Sequence, residues 1–303
     1  MRSQFSFLCG ASSAEELFAT AAMMGIEALA VTDRNTLAGI VRAWEAAKAT
    51  GVRLVVGCRL DLACGMAVLV YPMDRAGYGR LCRLLTLGKA RAGKGKCHLD
   101  WTDVAEHAEG LIVVLVPDLA DDTCALRLRR LRDVFGDRAY LALTLRRRPN
   151  DQLRLHELAA LAAHRGVSTV VTNDVLYHEP ARRILQDVVT AIRHTTTVEA
   201  LGFRRERHAD RYLKPPAEMY RLFSRYPEAL ARTAEIVARC RFSLDELRYQ
   251  YPEERDDPTL TPQETLERLT WEGAASRYPE GVPDEVKASL THELRLIAKL
   301  AYA

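Results

Sequence analysis

The chain is poor in the features that announce specialised chemistry. Its seven cysteines are odd in number, and no two stand in a Cys-x-x-Cys pair. That excludes a paired disulfide framework and a zinc knuckle, and predicts reduced, mostly buried thiols. No apolar run reaches the roughly 18 residues of a membrane span. The opening Met1-Arg2-Ser3-Gln4-Phe5-Ser6-Phe7-Leu8 has no apolar stretch long enough for a signal peptide. A cytoplasmic protein that needs no membrane is the expectation. Net charge is only +3, which by itself implies no nucleic-acid partner. No internal repeat or low-complexity segment is evident. His98, His107, His156, His164, His194, His208 and His292 are scattered without the spacing of metal ligands.

What is present is alternation. Apolar runs of strand length at 28–32, 53–60, 66–71, 111–116, 139–145 and 169–174 are separated by helical patterns at about 14–24, 38–49, 78–88, 124–135 and 151–164. Strands alternating with helices predict a mainly parallel, helix-covered sheet. The second and third runs are close enough to pair as a hairpin. Ser12 with Glu15, and Thr102, are the expected helix caps near their positions. After Asp174 only helical patterns follow, with a helix near 181–194 and a helical pair at 216–223 and 227–240. A polar, proline-bearing stretch from Arg248 to Pro262 reads as a linker. Thr261-Pro262-Gln263-Glu264 then opens a further helix with proline at its first position. The end at Leu300-Ala301-Tyr302-Ala303 carries no terminating Gly or Pro, and the expectation is a piece of a longer protein.

Two strands end in acids. Val31-Thr32-Asp33-Arg34 and Val171-Thr172-Asn173-Asp174 both carry a carboxylate to a carboxyl-terminal strand end, where barrels keep their chemistry. Arginines are bunched at 127–132, at Arg146, Arg147 and Arg148, and at Arg204, Arg205 and Arg207. Solvated helix faces and loops are the ordinary reading of such clusters; a stripe facing a phosphate backbone is the other.

Together these residues resemble the N-terminal part of bacterial C-family DNA polymerases, the polymerase III alpha-subunit type, and most closely the error-prone branch. The resemblance rests on Phe5-Ser6-Phe7-Leu8-Cys9-Gly10-Ala11-Ser12, on Val31 to Gly39, on Val56-Gly57-Cys58-Arg59-Leu60-Asp61-Leu62, on Tyr78 to Gly88, on Thr172 to His178 and on Leu213 to Met219. It covers essentially the whole chain. It implies a PHP domain, named for polymerase and histidinol phosphatase, built as a distorted (β/α)7-like barrel over residues 1–250. Residues 251–303 would be a linker and the first helices of a truncated palm region. Active members of the family hold two or three metals for phosphoester hydrolysis. Here the ligand positions carry Arg2, Cys9, Arg34, Arg59 and Leu176, another falls among Arg146 and Arg147, and only Asp33 and Asp174 keep their acids. His178 stands two positions from the last expected ligand and reads as a loop or helix-start histidine. Cys9 reads as a buried thiol.

The expectation is therefore a degenerate site with no catalytic residue, no metal and no cofactor in this chain. Magnesium is expected for the full-length polymerase. Partners would be DNA, reached through that polymerase, with a sliding clamp and other translesion proteins. The alternatives are a metal-dependent phosphoesterase or 3′–5′ exonuclease, which needs a dense His/Asp/Glu cluster, and a stand-alone interaction module in DNA repair. Arg34 and Arg59 have two readings: guanidinium groups paired with Asp33 and Asp174 in the metals' place, or side chains in solvent.

Overall fold

A computed structural model describes residues 1–247 and 259–303. They form two compact units, Met1–Glu246 and Leu247–Ala303. The boundary expected at residue 250, and the expected linker before residue 259, lie outside the described residues.

In the first unit, six strands lie side by side in sequence order: β1 (Ala28–Arg34), β2 (Arg53–Asp61), β3 (Ala67–Pro72), β4 (Leu111–Leu115), β5 (Ala139–Leu143) and β6 (Ser168–Val171). β1 is parallel to β2, β2–β3–β4 are antiparallel steps, and β4, β5 and β6 are parallel. Every strand but β3 therefore points the same way, and five carboxyl ends share one rim. The sheet curls into half a barrel, and β1 and β6 are its two edges. The hairpin of β2 and β3 matches the expected pairing.

The first-unit helices are α1 (Ala14–Met23), α2 (Ile40–Thr50), α3 (Arg75–Ala90), α4 (Trp101–Glu106), α5 (Asp122–Phe135), α6 (Asp151–Arg165), α7 (Arg183–Arg193), α8 (Pro216–Leu222) and α9 (Pro227–Arg239). All five residues of β4 and of β5 are buried, as expected of strands covered on both faces. On one side they meet α3, α5 and α6 through Leu84, Leu128, Leu131 and Leu158. On the other, Ile112, Val114, Tyr140 and Val170 pack with Ile236 and Cys240 from α9 and its end.

Two caps fall beside the expected residues. Ser13, not Ser12, caps α1 and forms a reciprocal pair with Glu16, because the Ser12 hydroxyl is held by His178 instead. Asp100, not Thr102, caps α4, paired reciprocally with Asp103. The strand expected to reach Asp174 stops at Val171. Asn173 turns its amide to the Tyr212 carbonyl at 2.8 Å, and Asp174 takes a left-handed φ of 47° that leaves the sheet.

The second unit contains α10 (Pro262–Arg277) and α11 (Asp284–Leu300). Thr261 caps α10 with Glu264 and proline at the helix start, as its sequence predicts. Gln263 reaches the Leu294 carbonyl at 3.2 Å. Leu269, Trp271, Leu296 and Leu300 remain exposed.

Candidate functional site

The rim at the carboxyl ends of β1, β2, β5 and β6 collects the residues singled out in the sequence. Asp33, at the end of β1, is 1% exposed. Its carboxylate accepts three hydrogen bonds, from the Ser3 amide at 2.7 Å, the Ser3 hydroxyl at 2.7 Å and the Ser6 hydroxyl at 2.8 Å. Ser6 Oγ also accepts the Arg34 amide at 3.0 Å. The 3–10 loop thus wraps the carboxylate and satisfies it with neutral donors. Such bonds occupy the carboxylate oxygens without a cation. The loop closes tightly: a Cβ on Gly10 would stand 2.0 Å from the Ser3 carbonyl oxygen.

Asp174 is neutralised differently. Arg2 Nη2 lies 2.8 Å from one carboxylate oxygen and Arg211 Nη2 lies 2.6 Å from the other. Arg146 Nη2 stands 4.0 Å away, and Arg211 Nε donates to the Asp174 backbone carbonyl at 3.0 Å. Burial alone would raise this carboxyl's pKa. The positive charges of Arg2, Arg211, Arg59 and Arg146 outweigh it and hold the group well below the usual carboxylate range.

Of the two readings left open for Arg34 and Arg59, pairing with Asp33 and Asp174 or exposure to solvent, neither describes the ion pairs they make. Both arginines reach Asp61 instead: Arg34 Nε at 2.7 Å from one oxygen and Arg59 Nε at 2.9 Å from the other. The cause is strand geometry. Arg59 and Asp61 are two apart on β2 and share a face, while Arg34 sits opposite Arg59 in the parallel register. Arg59 still contributes positive charge at Asp174, without a direct bond.

The other ligand positions are filled by non-ligands. Leu176 is buried against Ala11 and Tyr177. Cys9 is buried, and its sulfur lies 2.8 Å from Arg193 Nη1. Arg147 pairs with Asp210 at 3.2 Å. His178 is bonded through Nδ1 to Ser12 at 2.8 Å, with Glu16 and Glu179 nearby. A metal cluster for phosphoester hydrolysis needs several converging carboxylates and neutral imidazoles. Among the described residues no group of three or more His, Cys, Asp and Glu side chains converges to hold a metal ion. The donor set around Asp174 is cationic, so the residues present do not fit a metal cluster.

Ser3, Ser6, Asp61 and Arg211 were not singled out from the sequence. Asp61 was open to discovery through its two-residue spacing from Arg59. Arg211 lies 37 positions after Asp174 in an irregular segment, where no periodicity points to it.

Residues 1–147 match the PHP domain family. The chain is 65% identical over 299 residues to error-prone DNA polymerase 1 of Agrobacterium fabrum, covering 99% of this chain and 27% of that polymerase. It is 66% identical over 299 residues to error-prone DNA polymerase 2 of Rhizobium meliloti, covering 99% and 28%. It is 48% identical over 300 residues to the error-prone DNA polymerase of Caulobacter vibrioides, covering 98% and 28%. The chain thus spans between a quarter and a third of the length of the curated relatives it matches. Among the described residues no helix is long and apolar enough to cross a membrane.

Proposed function

Since the chain carries a PHP domain and belongs with the N-terminal region of error-prone DNA polymerases, we propose that it serves such a polymerase as a PHP domain without hydrolytic chemistry. The observation that carries this reading is the guanidinium cage of Asp174, in which Arg2 and Arg211 occupy both carboxylate oxygens. A cation bound there would meet fixed positive charge rather than ligands. Arginines therefore do the neutralising that metals do in active relatives, and they do it permanently, because a guanidinium does not titrate in the working range.

In the whole polymerase this unit would support the neighbouring catalytic module and offer surfaces to DNA and to other proteins. DNA synthesis, a place in DNA repair, replication and translesion synthesis, and magnesium held by carboxylates outside this chain belong to the same reading. So do a cytoplasmic location and contact with a sliding clamp. The support is the length and identity of the match to error-prone polymerases.

Elemental analysis of the purified chain, with a 3′-exonuclease assay in manganese, tests the reading. The expected result is substoichiometric zinc, manganese and iron and no release of nucleotides. About one tightly held metal per chain, or hydrolysis abolished by Asp174→Ala, would overturn it.

A further inference from the structure

Beside the Asp174 cage lies a groove that the cage does not explain. Its volume is about 490 Å³. One wall is the loop after β5, carrying Arg146 and Arg148. The other is the segment carrying Arg205, Arg207 and Arg211. It adjoins a second hollow that shares Arg148, His208 and Asp210 and adds Arg147. The facing carboxylates are Asp174, Glu206 and Asp210, with Asp118 next to Arg146 and Arg148. Counting Asp151, which lines the second hollow, six guanidinium groups stand against five carboxylates.

Both walls are anchored from below. The Arg146 and Arg147 amides donate to one oxygen of buried Asp151 at 2.6 and 2.9 Å. Asp151 is held in turn by Arg154 at 2.9 Å, and Arg154 also bonds the Thr144 carbonyl. On the opposite wall, Arg205 Nε is fixed 2.8 Å from Asp187, which is 1% exposed. Two buried aspartates thus hold two arginine-bearing segments facing each other. Among the described residues, Arg204 and Arg207 have no ion-pair partner. At the rim, Phe203 is 99% exposed, on a turn where Gly202 takes φ 54°.

An exposed phenylalanine beside unpaired arginines suits one ligand chemistry well. Arginine forks bind phosphate bidentately, and an aromatic ring gives an unstacked base a platform. A duplex keeps its bases stacked and offers Phe203 no open base face. We infer that this groove binds the backbone of single-stranded DNA, with Phe203 stacking against a base. The inference deepens the proposed function, since it names the face through which this unit meets DNA.

The test is fluorescence anisotropy of the full chain with a labelled oligothymidine of about 20 nucleotides, and with a duplex of equal length, across a salt series. The account expects single-strand binding on the order of micromolar at low salt, tighter than for the duplex. Phe203→Ala should weaken single-strand binding about tenfold. Arg148→Ser with Arg207→Ser should lower the magnitude of the logarithmic salt slope by about 1.4, at about 0.7 per phosphate contact. All three side chains are exposed, so unchanged thermal midpoints should show that the variants fold. Absence of binding, a preference for duplex, or binding indifferent to both variants would each overturn the inference. Primer extension by a full-length product tests the polymerase reading separately, and its failure would leave this result standing.

Discussion

Asp33 and Asp174 are two carboxylates on one rim with opposite solutions to the same cost. Asp33 is buried and satisfied by an amide and two hydroxyls. Asp174 is caged by guanidinium groups. The difference has a pH consequence. The cage depresses the folded pKa of Asp174, below the unfolded value of about 3.9. A depressed carboxylate stabilises fully above its unfolded pKa and loses that contribution as pH falls toward its folded pKa. The difference in unfolding free energy between the native chain and Asp174→Asn should therefore be flat from about pH 8 to pH 5. It should shrink below about pH 4. A difference that stays constant to about pH 3 would mean that the cage does not bias this carboxyl.

Among elements, the 3–10 loop matters most, because it converts β1 from a plain strand into a site. Its tightness depends on Gly10, whose missing side chain leaves room for the Ser3 carbonyl. Gly10→Ala must displace that carbonyl and disturb the bonds from Ser3 to Asp33. The expected loss is about 3 kcal/mol or more by chemical denaturation, at the upper end for overpacking. Gly93→Ala is the control. A Cβ there meets nothing within 4 Å, and the change should stay within about 0.5 kcal/mol. Equal effects of the two would remove the argument for a fixed loop. The elements themselves were largely legible, because strands such as Leu111–Leu115 carry an unbroken apolar pattern that only a covered strand satisfies. The cap positions slipped because neighbouring hydroxyls and carboxylates compete for the same amides. Ser12 and Ser13 are adjacent, and only the fold assigns Ser12 to His178.

At the scale of the molecule, the sequence shows which ligands are missing but not what replaces them. The sequence shows arginines at the missing ligand positions Arg2, Arg34 and Arg59, and leaves open whether they neutralise the acids or face solvent. Which arginine meets which acid was not legible, because Arg211 reaches Asp174 only once the segment before α8 folds back over the rim. The central claim is that guanidinium groups stand in for metals at Asp174, and a double-mutant cycle between Arg211 and Asp174 tests it most directly. Arg211→Met leaves a carboxylate that is 17% exposed with half its cage, and breaking a buried pair from one side costs about 3–5 kcal/mol, so a loss at the lower end of that range, about 3 kcal/mol, is expected. With Asp174→Asn already present, the same substitution should cost about 1 kcal/mol or less, near the value of an exposed pair. A coupling energy of about 2 kcal/mol or more is the predicted result. Losses that add to within about 0.5 kcal/mol would mean the two side chains act independently, and the cage would be a contact without consequence.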